Sequence, residues 1–255
     1  MTVLLGELTR DKIAAIAPDS IAVLPTAAVE QHGPHMPIIT DTLLCGTVAE
    51  RAAEKANANV LVAPVFCYGN SHHHRPFEGT LSLTSQNYIA SVIDVLEGLV
   101  LSGFKKLVIL NGHGGNMESN DLIGLDFTHR LGHPVTIATG SYWDIARPAL
   151  VEKGIIPSER IPGHAGRFET SMMLALRPDL VDTEAMVETQ AVEADVLSAV
   201  NVGAGVKVKI HGAWAAGTGY SDDPRVASAD EGAAILDAVV DEVSRFYEQL
   251  GNFSK

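Results

Sequence analysis

The sequence predicts an α/β fold in which a largely parallel sheet is covered by helices on both faces. Strand-like and helix-like segments alternate almost throughout, which is the pattern of βαβ units. The strand candidates are short, apolar and bounded by Gly, Pro, Asn or polar residues. With 255 residues, of which 46% are hydrophobic, the chain can bury a substantial core as one domain spanning residues 1–255.

Five segments have the pattern of strands, and five have the spacing of helices. The strand candidates are residues 21–26, 60–66, 106–110, 135–139 and 206–210. The helix candidates are residues 42–56, 85–101, 116–131, 168–176 and 229–250. Thr84 is expected to cap the second of these helices, and Gly103 to follow its end. The least regular region, residues 181–205, is compatible with a lid, an oligomer contact or a surface excursion.

The composition excludes some functions. The net charge is −13, with 18 basic and 31 acidic residues, which opposes binding to nucleic acid and favours a small or neutral substrate. Cys45 and Cys67 are too few for a disulfide scaffold, so we expect no bond between them. A reducing compartment is expected for the same reason. Residues 1–10 lack a signal-peptide pattern, and no run of about 18 apolar residues is present. We therefore expect a cytoplasmic protein without a membrane partner.

Residues 30–42, shortly after the first strand candidate, are the most informative stretch of the chain. Glu30 and His32 are two residues apart, so an extended backbone projects both to one side, and prolines stiffen the loop that returns to Asp41. A carboxylate, imidazole and carboxylate set fits Zn²⁺, Mn²⁺ or Fe²⁺, and the two oxygens of Asp41 can bridge a pair of metals. A polar surface turn is the alternative interpretation.

A glycine-rich turn after the third strand candidate holds His113 and then opens a helix. The surrounding glycines permit close backbone approach, so the imidazole can reach inward and the N–H groups of Gly114 and Gly115 can face a ligand or an oxyanion. The spacing fits neither a Walker phosphate loop nor the dinucleotide fingerprint. A tight turn whose histidine caps the helix is the alternative.

A third segment places His164 and Glu169 at the start of an apolar helical run. Glu169 could complete the shell of a second metal or act as a general base, and His164 could pass a proton to a leaving nitrogen. The alternative is that Glu169 has no functional role, because the helix dipole by itself favours an acid in the first turn.

The loop at residues 69–80 carries three consecutive histidines, which invites a metal-site interpretation. Adjacent histidines rarely all reach one ion, so His73 and His74 are assigned to substrate contact, with local hydrogen bonding or no role as alternatives. Either Trp143 or Trp214 could form the wall for a planar substrate, although core packing is the commoner role, and Trp143 is assigned to substrate contact.

Taken together, these motifs strongly resemble those of the creatininase (creatinine amidohydrolase) family, along nearly the full chain. The matching residues are Glu-Gln-His-Gly-Pro-His at 30–35 with Asp41-Thr42, Asn-Gly-His-Gly-Gly-Asn at 111–116, His-Ala-Gly at 164–166 with Glu-Thr-Ser at 169–171, and Gly69, Ser71, Phe77 and Gly79-Thr80. The resemblance implies a three-layer α/β/α sandwich, a two-metal hydrolase that opens cyclic or simple amides, and assembly as a homo-oligomer, often a hexamer.

The resemblance also assigns roles to the ligand residues. By analogy, Glu30 and His32 bind one metal each, Asp41 bridges them, and His113 completes the first site. In creatininase itself a carboxylate stands two residues after this histidine, where the chain has glycine, so Glu169 is assigned to the second metal. The implied cofactors are two divalent ions per subunit, of Zn, Mn or Fe.

Further departures from the family pattern border the expected pocket. Many relatives have glutamate where this chain has Arg167, and a Glu-His pair where it has His73-His74. We assign Arg167 to an anionic group of the substrate, with a solvent-facing position as the alternative. Members with the glycine-rich second motif, which here includes Gly115, include a formamide deformylase of flavin and deazaflavin synthesis and a peptide-processing enzyme, so creatinine need not be the substrate.

The resulting hypothesis is hydrolysis of a C–N bond in a small cyclic amide or formamide by a hydroxide that bridges two metals. The N–H groups of Gly114 and Gly115 would stabilise the oxyanion, and His164 or Glu169 would protonate the departing amine. The alternatives are a lactonase or esterase with the same metals, a peptide-processing peptidase, and a metal-binding protein without catalytic activity.

Overall fold

The computed structural model describes residues 2–188, 211–212 and 214–253, and the elements below lie within them. The strands are β1 (Ile21–Thr26), β2 (Val60–Val62), β3 (Lys106–Asn111) and β4 (Thr136–Ser141). The helices are α1 (Arg10–Ile16), α2 (Thr40–Lys55), α3 (Ser85–Leu101), α4 (Met117–Leu125), α5 (Tyr142–Glu152), α6 (Arg167–Leu176) and α7 (Ala229–Asn252).

The four strands form one parallel sheet in the order β2-β1-β3-β4. Successive side chains along each strand face opposite sides of the sheet. Val23 and Val108 therefore pack in a core with α2, α5, α6 and α7, whereas Leu24 and Ile109 pack in a second core with α3 and α4. The predicted fold class, a three-layer α/β/α sandwich with a parallel central sheet, is confirmed.

The topology creates a crevice between β1 and β3. After β1 the chain passes into α2 on one face of the sheet, and after β3 it passes into α4 on the other face. Loops that leave neighbouring strands in opposite directions diverge at the carboxyl ends of those strands, which is where open parallel sheets bind ligands. The two metal-ligand motifs that follow β1 and β3 are thus brought to one place.

Several element boundaries differ from the sequence-based prediction. Strand β2 ends at Val62 rather than at residue 66, because Pro64 has no N–H to donate, although Phe66 still donates to the carbonyl of Pro25 at 2.9 Å. The candidate strand at residues 206–210 lies outside the described residues, as does most of the irregular region 181–205.

Two helices were not predicted from the sequence, α1 and α5. Helix α5 contains Pro148, and proline in a helix interior normally breaks the helix. Its burial of Tyr142, Trp143 and Leu150 against the core offsets that cost. The predicted cap of α3 is confirmed, since the Thr84 side chain accepts from the Asn87 N–H. Among the described residues, no helix has the length and apolar character needed to cross a membrane.

Candidate active site

The five predicted metal-ligand residues come from four segments and meet at the carboxyl ends of β1 and β3. Glu30 and His32 lie in the loop after β1, Asp41 in the first turn of α2, His113 directly after β3, and Glu169 in the first turn of α6. Each is at most 4% exposed to solvent. Burial of so many ionisable groups in one place is costly unless they are paired or bind metal, which makes this cluster the candidate functional site.

The loop after β1 folds back on itself to bring its ends together. The N–H of Glu30 donates to the carbonyl of Ile38 at 2.9 Å, and His32 forms an isolated antiparallel bridge with Met36. Asp41 therefore returns to the side of Glu30 and His32 at the start of α2. The sequence prediction that this loop returns the second carboxylate to the first is confirmed.

The orientation of His113 follows from one backbone contact. Its Nε2 lies 3.1 Å from the carbonyl oxygen of Asn70, and a carbonyl only accepts, so Nε2 carries the proton. In the neutral ring Nδ1 then presents a lone pair. That atom lies 3.0 Å from Asp41 Oδ2 and 3.3 Å from Glu30 Oε1. The Nδ1 lone pair therefore lies within 3.3 Å of one oxygen of each carboxylate.

His32 repeats the arrangement on the other side of Asp41. Its Nδ1 lies 3.1 Å from the carbonyl oxygen of Glu30, so in the neutral ring the proton is held there and Nε2 presents the lone pair. Nε2 lies 3.0 Å from Asp41 Oδ1 and 3.7 Å from Glu169 Oε2. The two carboxylate oxygens of Asp41 therefore face different triads of donor atoms.

The donor set fits two divalent cations. A histidine that donates one ring N–H to a backbone carbonyl and directs its other nitrogen at carboxylates is the usual arrangement of a metal ligand with its outer support. Glu30 Oε1 and Asp41 Oδ2 are buried without a hydrogen-bond partner, which a cation would resolve. Each triad could hold one ion, with Asp41 in both.

The charges of the cluster also favour a bound cation. Burial opposes the charged imidazole of His32, but Asp41, together with Glu169 and Glu30, outweighs it and raises the pKa of His32 to about 10. Burial, reinforced by Asp41 and opposed by His32, raises the pKa of Glu169 to about 8. In the absence of metal the site therefore holds protons in place of other positive charge.

Glu169 is held in position by the backbone that precedes α6. The N–H of Ala165 donates to Glu169 Oε2 at 2.6 Å, and Ala165 adopts a left-handed conformation with φ of 50° to make that contact. The carboxylate also lies at the positive end of the helix dipole. Glu169 therefore stabilises the start of α6 and also lies close to His32, and these two roles are compatible.

A small cavity opens beside the cluster, with a volume of about 110 Å³. Four of the predicted substrate residues line it, His73, His74, Gly114 and Trp143, together with the predicted catalytic His164. Trp143 is only 2% exposed and also packs edge-on against Tyr142. Both interpretations of this tryptophan, core residue and cavity wall, therefore apply at once.

Two predicted substrate residues, Gly115 and Arg167, are not among the described residues that line the cavity. Gly115 lies behind His113, where a Cβ atom would stand 2.1 Å from the Asn70 carbonyl oxygen and 2.5 Å from His113 Nε2. Glycine is needed there so that this carbonyl can reach the imidazole. Arg167 forms a bidentate ion pair with Glu231 of α7, with N–O distances of 2.6 to 3.1 Å.

Other residues at the site were not assigned from the sequence. Trp214 lines the cavity and stands edge-on to the rings of His73, His74 and His164, at centroid distances of 4.9 to 5.7 Å. Ser71 donates a hydrogen bond to Glu30 Oε2. A lone tryptophan far along the chain carries no spacing signal, so only the tertiary structure could place it here.

Comparison with known proteins identifies the family. The family model described as creatinine amidohydrolase matches residues 6–247. Creatinine amidohydrolase of Pseudomonas putida is 35% identical over 201 residues, which cover 73% of this chain and 76% of that protein. The mycofactocin precursor peptide peptidase of Mycobacterium tuberculosis strain H37Rv is 30% identical over 252 residues, which cover 94% and 89%.

The fold comparison gives the same result. A crystal structure of creatininase matches with a TM-score of 0.80 and 31% identity, and the match covers 99% of both chains. Sequence and fold therefore agree, and the chain belongs to the creatininase family of hydrolases that act on carbon–nitrogen bonds.

Proposed function

We propose that the chain is a two-metal amidohydrolase that cleaves the C–N bond of a small cyclic amide or formamide. The observation that carries the proposal is the pair of donor triads that share Asp41, with both imidazole lone pairs directed at carboxylates. The solved creatininases of this fold include a Zn-Zn form and a Mn form, each 30% identical to this chain, with TM-scores of 0.78 and 0.79.

In this proposal each triad holds one ion. The first ion would bind to Glu30, Asp41 and His113, and the second to His32, Asp41 and Glu169. When bound, such a pair of ions polarises the substrate carbonyl and lowers the pKa of a bound water toward neutrality. The ligand set of imidazoles and carboxylates suits zinc, manganese or iron.

His164 is the residue best placed to move a proton. Its Nε2 lies 3.0 Å from the carbonyl oxygen of Gln31, so the ring proton is held there and Nδ1 carries the lone pair, 3.5 Å from Glu30 Oε1. Burial, and then the nearby His32 and His74, hold the pKa of His164 well below its usual range. The neutral imidazole can accept the proton of the attacking water as the C–O bond forms, and return it to the nitrogen as the C–N bond breaks.

The cavity favours a small substrate. Its volume of about 110 Å³ is well below the roughly 300–1,000 Å³ of pockets for drug-sized ligands. No lysine or arginine is among the described residues that line it, so none of these side chains offers a permanent positive charge to an anionic substrate group. A compact neutral amide fits these properties better than a peptide, although the mycobacterial relative with the longer match is a peptidase.

A substrate panel tests the proposal. Protein loaded with manganese or zinc is expected to hydrolyse at least one compound among creatinine, small formamides and lactams, and to act less well on short peptides. Each lactam is paired with the lactone of the same ring size, since a lactonase would prefer the ester. Turnover of lactones or peptides alone would exclude the proposed substrate class, and no turnover of any amide in the panel with a full complement of metal would exclude it as well.

Replacement of His164 by glutamine is expected to lower kcat by about 10²–10⁴-fold, the usual contribution of general acid–base catalysis. A glutamine amide can keep the hydrogen bond to the Gln31 carbonyl, but it cannot accept a proton as Nδ1 does. Metal content should stay unchanged, as measured by inductively coupled plasma mass spectrometry. His129→Gln, at an exposed position, is the matched control. Wild-type kcat in His164→Gln would remove this residue from the mechanism.

Metal binding is expected to release protons and to strengthen as the pH rises. The pKa of His32 is raised to about 10 and that of Glu169 to about 8, so both groups are protonated at neutral pH in the absence of metal. Each must lose its proton to bind a cation, which makes the affinity rise by about tenfold per pH unit for each proton released. Calorimetric titration with Zn²⁺ or Mn²⁺ in buffers of different ionisation enthalpy measures the release. An affinity that is constant from about pH 6 to about pH 8 would contradict it.

A further inference from the structure

Two stacked imidazoles beside the metal-ligand cluster share one neighbour. The rings of His74 and His164 lie 4.1 Å apart between centroids, with 23° between their planes. Both rings contact Gln31, whose side chain is buried between them and the backbone at Gly219. Gln31 is next to two ligand residues but is itself neither a ligand nor a titratable group.

The contacts of Gln31 fix which end of its amide is oxygen. The N–H of Gly33 donates to Gln31 Oε1 at 2.9 Å, and the opposite amide atom lies 2.5 Å from the carbonyl oxygen of Gly219, where only a donor can stand. One N–H of the amide nitrogen is used by that carbonyl. The other has two imidazole nitrogens within reach, His74 Nδ1 at 2.8 Å and His164 Nε2 at 3.1 Å.

The backbone carbonyl of Gln31 decides between these two nitrogens. It lies 3.0 Å from His164 Nε2, and two lone pairs would repel at that distance, so His164 Nε2 carries a proton and cannot accept another. The remaining N–H of Gln31 is therefore donated to His74 Nδ1. In the neutral ring His74 must then carry its own proton on Nε2.

The two stacked rings consequently present opposite polarity to the site. His74 directs an Nε2–H group, and His164 an Nδ1 lone pair, toward the same oxygen, Glu30 Oε1, at 3.7 Å and 3.5 Å. His74 Nε2 is buried and has no hydrogen-bond partner. Glu30, His74 and His164 form one of the groups that are close enough to hold a metal, and the proton on His74 Nε2 opposes an ion there. A donor beside an acceptor matches an amide, which offers a carbonyl oxygen and an N–H.

We propose that the Nε2–H of His74 donates a hydrogen bond to the carbonyl oxygen of the amide substrate, and that Gln31 is the positioning residue that sets this tautomer. The proposal rests on the amidohydrolase function proposed above. It also gives a reason for the amide at position 31. Any side chain without a donor there leaves His74 free to place its proton on Nδ1, and the buried donor would be lost.

The tautomer is tested by NMR, independently of activity. Zinc-loaded protein labelled with ¹⁵N-histidine should show His74 as the Nε2–H tautomer, with its signals assigned from the spectrum of His74→Gln. Gln31→Met should give a mixture of tautomers, and Gln31→Glu should shift the proton to Nδ1. Gln86→Glu, which adds the same charge at an exposed position of α3, should leave the spectrum unchanged. A His74 tautomer that is unaffected in both Gln31 variants would overturn the positioning role.

Kinetics test the donor role of His74. His74→Leu is expected to lower kcat on an amide by about 10²–10³-fold with little change in KM, the scale of losing one oxyanion donor. Glutamine can place an N–H near the position of Nε2, so His74→Gln should recover part of that loss. Metal content should be equal in all variants. Full kcat in His74→Leu would overturn the donor role.

The hydrogen bond from His74 can be tested separately from the proposed amide hydrolysis. Addition of formamide to zinc-loaded wild-type protein should shift the proton signal of His74 Nε2, whether or not formamide is cleaved. If no amide in the panel is hydrolysed, the proposed function fails, and the shift still tests the hydrogen bond. If amides are hydrolysed and the signal does not move, the function stands and the role of His74 is wrong.

Discussion

Asp41→Asn is expected to lower kcat/KM by at least about 10³-fold, the scale of losing a principal electrostatic stabiliser, and to leave at most one metal ion per subunit. The two carboxylate oxygens lie 3.0 Å from the lone-pair nitrogens of His32 and His113. Asparagine has nearly the same shape but only one acceptor oxygen, and its NH₂ group would face the second cation. One substitution therefore disrupts both triads.

Metal analysis by inductively coupled plasma mass spectrometry and steady-state kinetics on the best substrate of the panel measure the effect. Asp237→Asn, at an exposed position of α7, is the matched control and should keep both metals and full activity. Thermal unfolding of the two variants without metal confirms that each is folded. Two bound ions and wild-type turnover in Asp41→Asn would rule out a shared bridging carboxylate.

Gly115→Ala is expected to destabilise the protein by about 1–3 kcal/mol, the typical cost of overpacking a well-packed site. The added Cβ would lie 2.1 Å from the Asn70 carbonyl oxygen and 2.5 Å from His113 Nε2. The first of these is a backbone atom that cannot move aside as the end of a side chain can. Relief of the clash must break the hydrogen bond that orients His113, and loss of such a support typically costs 10-fold to 100-fold in metal affinity.

Gly114→Ala provides the control, because a Cβ at that neighbouring position meets no atom within 4 Å. Chemical denaturation should show a lower free energy of unfolding for Gly115→Ala than for Gly114→Ala. Zinc titration should show weaker binding in the first variant alone. Equal stability and equal affinity in the two variants would mean that the Asn70 carbonyl does not hold His113.

The geometry at position 115 also separates the roles of two residues in the proposed site. A side chain at this position would displace the Asn70 carbonyl from His113. Glu169 is held by the N–H of Ala165 and lies 3.7 Å from His32 Nε2. In the proposed site Gly115 therefore supports His113 of the first triad, and Glu169 belongs to the second.

Most of the fold was predictable because its signals are local. Short apolar runs separated by helical spacing indicate parallel βαβ units, and the alternation of side chains along a strand needs no knowledge of distant residues. Helix α5 was missed because Pro148 is unfavourable locally, and the burial that compensates for it comes from the rest of the core. The ligand-type residues Glu30, His32 and Asp41 were evident because they lie within twelve residues of one another.

The chain's sequence, taken alone, thus established the fold class, the family resemblance and the kinds of side chain at the site, because short-range sequence patterns indicate all three. Contacts between distant residues established the rest. They pair Arg167 with Glu231 in an ion pair and bring Trp214 to the cavity. They also determine that the ring protons of His32, His113 and His164 lie on the nitrogens that face backbone carbonyls. The position of a ring proton depends on which carbonyl lies 3 Å away, and only the folded chain brings that carbonyl there.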